Sequence, residues 1–297
     1  MTGDLAAFVE RSLDRPVPDF VTAAATALAA RDERAVAVLF YGSNLRTGSV
    51  EGVLDFYVLR EGAVERGVWP RVGYVELPHG DAVLRIKVAT MTLATFGRAA
   101  AARTLDTTIW ARFVQPSALV WSRDAEAAER AEAAVAIAAM SAARFAAALG
   151  PERGRAEEYW RALFAETYAA EFRVERRGRG DEIVAHDPGR YAALLPLAWK
   201  AGDVAFAIEN GMFVPSLPPA RRASLRRAWA RRRRAGKPLN LLRLAKAAFT
   251  FDGAARYGAW KIERHTGVPV VLTPWRERHP LLAAPGVLWR VWRARGV

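Results

Sequence analysis

The sequence predicts an α+β fold, with a mixed sheet in residues 1–122, a mainly helical region in 123–279 and a short amphipathic tail in 280–297. Two patterns carry that division. Between residues 35 and 121, short runs of β-favouring residues alternate with period two and stop at Gly, Pro or Asp. From residue 124 onward the apolar residues recur at helical spacing instead. A chain of 297 residues suffices for two domains. Alanine inflates the hydrophobic fraction of 52%, but ten Trp and thirteen Phe supply packing bulk.

Taken in order, residues 4–14 and 19–31 read as two helices parted by Pro16-Val17-Pro18, with Asp19 as the cap of the second. Ala35–Tyr41 reads as a strand that stops at Gly42. On the strand that follows, Val53, Asp55, Tyr57 and Leu59 point one way and Leu54, Phe56 and Val58 the other. Residues 71–77 form a third strand with Val72, Tyr74 and Glu76 on one face, and Pro78-His79-Gly80-Asp81 makes a turn into a fourth at 82–91. There Leu84, Ile86 and Val88 share one face, and Arg85 and Lys87 the other. Alternation alone allows that cationic face to line an anion-binding cleft or to lie on a solvated edge. Residues 92–103 read as a helix and 117–121 as a last short strand. Helices are expected at 124–149, ending at Gly150-Pro151, and at 155–171, 188–209, 219–235, 238–250 and 253–265, with a polar segment at 175–181.

Composition excludes several function classes. With no cysteine, a disulfide framework, thiolate metal sites and thiol catalysis are out. The first residues lack the basic and apolar regions of a secretory signal, and no apolar run is expected to reach the length of a membrane span, the alanine-rich stretch at 135–140 being short and flanked by charge. A cytoplasmic protein is the expectation. The net charge of +13 calls for an anionic partner, whether nucleic acid, nucleotide or anionic lipid. Residues 221–234 hold eight arginines, four of them consecutive, and read as a solvated basic surface. Contact with lipid or nucleic-acid phosphates and mere solubility both fit it. Residues 280–295 interleave Trp289 and Trp292 with Arg290, Arg293 and Arg295, the composition of an interfacial helix, with docking on the core as the alternative.

Chemistry concentrates between Phe40 and Leu59. Gly42-Ser43-Asn44-Leu45-Arg46 offers backbone N–H groups, a hydroxyl and a guanidinium, donors suited to phosphate oxygens. Asp55 sits mid-strand, where a carboxylate pairs with a cation such as Arg46 or binds a metal. Gly-Ser at a strand end, then an acid on the next strand, resembles the nucleotidyltransferase superfamily of the polymerase-β type. In that superfamily the Gly-Ser turn holds nucleotide phosphates and strand carboxylates hold Mg²⁺. The usual pattern is acid-x-acid, whereas Tyr57 occupies the second position here. A phenol does not replace a carboxylate toward Mg²⁺, so Glu76, on a neighbouring strand face, is the candidate second ligand.

Several separated segments together are similar to the mitochondrial-type, peripheral CDP-diacylglycerol synthases, the translocator assembly and maintenance protein family. Tyr41-Gly42-Ser43 followed by Leu54-Asp55-Phe56 resembles that family's Tyr-Gly-Ser…Ile-Asp-Phe, which likewise has Asp-Phe in place of acid-x-acid. Lys87-Val88-Ala89 falls where the family has a lysine-bearing strand. Trp110-Ala111-Arg112-Phe113-Val114-Gln115-Pro116 looks like its Tyr-x-Ala-Gly-Arg-Leu-His-Lys-Pro segment, shortened and with Gln115 in place of lysine. Tyr168-Ala169-Ala170-Glu171-Phe172-Arg173 resembles Tyr-Met-Gly-Asp-Phe-Arg. The resemblance implies transfer of CMP from CTP to phosphatidate with Mg²⁺, by an enzyme held peripherally at the inner face of an anionic membrane. It assigns Asp55 and Lys87 to catalysis, Gly42, Ser43 and Arg46 to the nucleotide, and Arg112 and Arg173 to phosphatidate; Asp55 and Glu76 would hold the metal. A nucleotidyltransferase acting on RNA or protein, and a non-catalytic membrane-associated scaffold, are the alternatives.

Overall fold

The computed structural model describes residues 3–49, 52–80, 82–170, 179–250, 253–278 and 280–294. The alternating runs pair into one mixed sheet of five strands: β1 (Ala35–Tyr41), β2 (Leu54–Arg60), β3 (Arg71–His79), β4 (Ala82–Thr92) and β5 (Ser117–Ser122). Their order is β3-β4-β2-β1-β5, with β2 and β4 parallel and the other neighbours antiparallel. Pairing sets Tyr41 opposite Asp55, Asp55 opposite Lys87 and Lys87 opposite Tyr74, so these four form one row across the sheet. Paired residues share a face, and each strand's period of two repeats the row's orientation at every second residue.

Both faces are packed. Leu54, Phe56 and Val58 join Val38, Phe40 and Ile86 under the helix α2 (Asp19–Ala29), through Val21, Ala24, Ala25 and Leu28. On the other face Leu39, Tyr57, Leu59 and Met91 belong to a larger apolar cluster that continues into the helices. Those helices are α1 (Gly3–Leu13), α4 (Leu93–Ala100), α5 (Thr108–Phe113), α6 (Ala125–Leu149), α7 (Ala156–Ala170), α8 (Arg179–His186), α9 (Pro188–Ala201) and, through Trp229, α10 (Pro219–Thr250). The remaining helices are α3 (Ser43–Thr47), α11 (Ala254–Thr266), α12 (Pro274–Arg278) and α13 (Pro280–Ala294). Asp19 is the first residue of α2 rather than its cap; Pro18 holds the cap position and its carbonyl accepts the Val21 N–H at 2.8 Å.

Three longer-range expectations are corrected. The helix expected at 188–209 ends at Ala201, and a hairpin follows, β6 (Ala205–Glu209) with β7 (Met212–Ser216). Its two-residue loop is Asn210-Gly211, both at positive φ, the turn that matches the twist of paired strands. The helices expected at 219–235 and 238–250 are one, α10, which runs through Pro238. Tertiary clamps on both sides override the proline: Trp229 Nε1 donates to Glu166 at 2.7 Å, and beyond it Arg243 pairs with Asp106 at 2.7 Å. Finally, α6 is long and apolar enough to cross a membrane, with a stretch of mean hydropathy 1.5, because its acids gather in the first turns. Two-thirds of that stretch, 67%, is buried inside the fold, as in the core helix of a packed domain.

The arginine run on α10 is not wholly a solvated surface. Arg221 donates to the Asp203 and Gly202 carbonyls beyond the end of α9, at 2.6 and 3.2 Å, and Arg226 to Ala148 in the last turn of α6 at 3.0 Å. Arg232 is buried and donates to the carbonyls of Ala102, Thr104 and Ala228. Helix C-termini leave carbonyls without partners, and cations there gain from the helix dipole as well.

Arg232→Ala should therefore destabilise the protein by about 3 kcal/mol, because two loop carbonyls lose a charged donor in a buried place. Arg233→Ala, its exposed neighbour, should stay within about 0.5 kcal/mol. Urea unfolding of both variants checks the contrast.

Candidate active site

Asp55 occupies the centre of the row Tyr41–Asp55–Lys87–Tyr74, on the sheet face that packs against the helices. Immediately after β1 the chain turns at Gly42, whose φ of +98° favours glycine. A Cβ at Gly42 would also stand 3.0 Å from Asp55 Oδ2. The turn therefore lies directly against the carboxylate, and both its conformation and its closeness require glycine. The short helix α3 follows, with Ser43 exposed and its hydroxyl 3.3 Å from Asn44 Oδ1. Asn44 is buried and donates to the Ser49 carbonyl at 2.9 Å, which fixes the turn from within.

These residues line a cavity of about 260 Å³. Tyr41, Gly42, Ser43 and Arg46 form one wall, and Asp55 and Lys87 rise from the sheet. Arg112, Gln115 and Pro116 enter from α5 and its exit, and Tyr168 of α7 and Ile183 of α8 close the far side. Six residues singled out in the sequence thus meet in one place: Gly42, Ser43, Arg46, Asp55, Lys87 and Arg112. Lys87 stands on a strand flanked by β2 and β3, so it lies on a cleft and not on a solvated edge. Gln115, where the resembled segment has lysine, donates to the Ala111 carbonyl of its own helix at 2.9 Å.

Among the described residues, the cavity lining holds one carboxylate and three cations. Burial pushes the Asp55 carboxyl above the usual carboxylate range, and the charges of Lys87 and Arg112 pull it partly back. Arg112 is held by aromatic groups. Its Nη1 donates to the Tyr57 hydroxyl at 2.9 Å, and its guanidinium lies 5.1 Å from the Tyr41 ring centre and 5.8 Å from that of Tyr57. Tyr57 is itself buried edge-on against Phe96 and Phe113, and burial raises its phenol, so it remains a neutral acceptor. Tyr57 thus has a role that sequence reasoning missed: it anchors Arg112. No local signal announces a contact between residues 55 positions apart.

Glu76 lies on the same sheet face but outside the cavity lining, on β3, where it accepts a hydrogen bond from Tyr74 Oη at 2.9 Å. Burial and the Glu76 carboxylate together raise the Tyr74 phenol. The Tyr74 ring in turn packs 5.3 Å from that of Tyr257 on α11, whose own hydroxyl is raised first by burial and then by the Asp55 charge. Arg173 lies outside the described residues. Tyr168 and Ile183 complete the site from the helical half; the tyrosine is the first residue of the segment that ends at Arg173.

Chemically, the arrangement suits a polyanion that brings a cation with it. Arg46, Lys87 and Arg112 match phosphate charge, and Asp55 is a single hard oxygen donor. Among the described residues no cluster of three His, Asp or Glu stands ready as a metal cage. A divalent ion would fit here as one shared between Asp55 and a ligand's own phosphates. No protein-family model and no curated protein matches the chain.

A raised carboxyl has a consequence for stability. Between the ordinary carboxylate value and the raised one, the folded protein holds a proton that the unfolded chain has released, so stability falls as pH rises through that window. Asp55→Asn keeps the shape and removes the charge. The variant should melt higher than the wild type at neutral pH and should lack Asp55's share of the pH slope. Thermal melts of both proteins across pH decide it, and a variant that melts lower at neutral pH overturns the assignment of Asp55 as a strained carboxylate.

Proposed function

We propose that the chain is a phosphatidate cytidylyltransferase, which transfers CMP from CTP to phosphatidate on a nucleotidyltransferase fold of the polymerase-β type. The observation that carries this is the Gly42-Ser43 turn set against Asp55 in a cavity shared with Arg46, Lys87 and Arg112. The strand–turn–strand unit within a mixed sheet supports the fold assignment.

In the reaction an oxygen of the phosphatidate phosphate attacks the α-phosphorus of CTP, and the bond from that phosphorus to the β-phosphate oxygen breaks to release pyrophosphate. Ser43 and Arg46 hold the nucleotide phosphates. Lys87 faces the charge that grows on the departing pyrophosphate, and Arg112 orients the acceptor phosphate. A phosphate monoester is already anionic near neutral pH, so no strong general base is needed. Mg²⁺, held by Asp55 with phosphate oxygens and water, would supply charge neutralisation at the phosphates.

The C-terminal helix supports a lipid substrate over a dissolved one. One side of α13 docks on α11 through Ala283, Ala284 and Val287, around an apolar cavity of about 160 Å³. Leu282 and Trp289 remain 69% and 58% exposed, with the Arg293 guanidinium 4.9 Å from the Trp289 ring centre. Docking and exposure thus coexist on one helix, and the exposed side has the Trp/Arg character of a headgroup contact.

The test is incubation with each of the four NTPs, Mg²⁺ and phosphatidate vesicles. CTP alone should yield CDP-diacylglycerol and pyrophosphate, and absence of any CDP-lipid overturns the reading. Lys87→Ala should cut kcat about 100-fold with a smaller change in KM, because its charge acts mainly in the transition state.

A second expectation concerns the interface. Leu282→Ser combined with Trp289→Ser should cut turnover on vesicles and leave turnover of a short-chain, water-soluble phosphatidate unchanged. Equal losses on both substrates would place the two side chains in the fold and not at a membrane.

A further inference from the structure

The helix α10 carries eleven Lys and Arg and no Asp or Glu in its 32 residues. Nearly all of the chain's net charge of +13 is therefore matched by one element. Five of those cations are engaged by the rest of the fold: Arg221, Arg226 and Arg232 on helix-end and loop carbonyls, Arg243 on Asp106, and Lys246 on the Val68 carbonyl. Others have no such work. Arg227, Arg231, Arg234 and Lys237 are exposed, and their spacing of three and four places them on successive turns of one side. The same side continues past Pro238 into Leu241 and Leu242, which are 68% and 54% exposed. From Arg227 to Leu242 this stripe runs about 23 Å at helical rise.

We propose that this stripe is a docking surface for an anionic lipid bilayer, separate from the exposed side of α13. The guanidinium and ammonium groups would lie on lipid phosphates, and the two leucines at the acyl boundary. The pattern on the helix selects that partner over a nucleic acid. A polyphosphate strand needs the cations alone, whereas two adjacent leucines turned to solvent beyond a row of cations match the apolar layer beneath charged headgroups. No acid on α10 opposes an anionic surface. The choice of a lipid accords with the proposed substrate, but the stripe stands on its own charge and exposure.

The experiment is vesicle co-sedimentation of the full chain, with phosphatidylcholine vesicles and with phosphatidylcholine vesicles containing phosphatidylglycerol. Replacing Arg227, Arg231 and Arg234 together by Gln should weaken binding to the anionic vesicles about 100-fold. Leu241→Ser with Leu242→Ser should remove the part of binding that survives high salt. Replacing the exposed Arg11, Arg31 and Arg98 by Gln, an equal loss of charge elsewhere, should have a much smaller effect. Unchanged vesicle binding in the α10 variants overturns the proposal, as does an equal loss in the control. So does a triple variant that keeps vesicle binding but loses binding to a single-stranded RNA oligomer, which would mark a nucleic-acid surface. Turnover of CTP with short-chain phosphatidate separates this proposal from the proposed reaction. It should be unaffected by the α10 variants, and its absence in the wild type would sink the reaction while leaving the surface intact.

Discussion

A carboxylate on a packed sheet face, at the start of β2 and not mid-strand, is the constraint on which the site depends. Asp55 cannot be there without an arrangement that tolerates its charge, and the neighbouring residues follow from that. The turn before it must be glycine, since any Cβ would press on its oxygen at 3.0 Å. The next strand must supply a cation in register, and Lys87 does so because β2 and β4 run parallel with residues 55 and 87 paired. A second cation, Arg112, arrives from a helix and is held by an aromatic oxygen and two ring faces. Even so, burial outweighs both charges and the carboxyl is left above its ordinary range. A group held in that state gains from a further cation, which is the property expected of a place that receives one with its ligand.

The helix α10 solves a different problem with the same kind of residue. Arg221, Arg226 and Arg232 meet carbonyl oxygens at helix ends and in a loop, and Arg243 meets the Asp106 carboxylate. The carbonyl contacts hold the helix across the ends of α6 and α9 and the loop after α4, and they leave its charge uncancelled. Structural attachment and a strongly basic surface are thereby compatible, and the contacts of Trp229 with Glu166 and of Arg243 with Asp106 carry the helix past Pro238.

Legibility in the sequence followed the range of the forces involved. The strand alternation that put Asp55 opposite Leu54 and Phe56 was readable, because the two sheet faces are packed by different partners and the period of two is strict. That Gly42, Ser43 and Lys87 share a cavity was readable in part, since a turn and a cationic strand face have local signatures. The β6–β7 hairpin is announced only by Asn210-Gly211; alanines at 205 and 207 carry little preference, so the helical pattern of the preceding segment runs on through them. Continuity of α10 through Pro238 and burial of α6 are tertiary outcomes, set by Asp106, Glu166 and the apolar cluster and by nothing nearby in the chain. Tyr57 shows the limit most clearly. Its alternation was right, but its partner lies 55 residues away and has no counterpart in any local pattern.

Tyr57 also bears on which acceptor the site suits. Position 57 shares the face of position 55, so in an acid-x-acid arrangement it would add a second carboxylate to the metal site. Here it offers a phenol that holds a guanidinium instead. The exchange replaces a negative group by a fixed positive one beside Asp55. A hydroxyl acceptor, such as the end of an RNA chain or a protein side chain, must lose a proton and profits from the charge density that paired carboxylates and their metals create. A phosphate monoester needs no deprotonation, and its difficulty is the reverse: an anionic nucleophile must approach an anionic triphosphate. Lowering that repulsion requires fixed cations between the two, and Lys87 and Arg112 both lie in electrostatic reach of Asp55. Under the proposed reaction, a phenol at position 57 in place of a second carboxylate is thus what an anionic acceptor calls for.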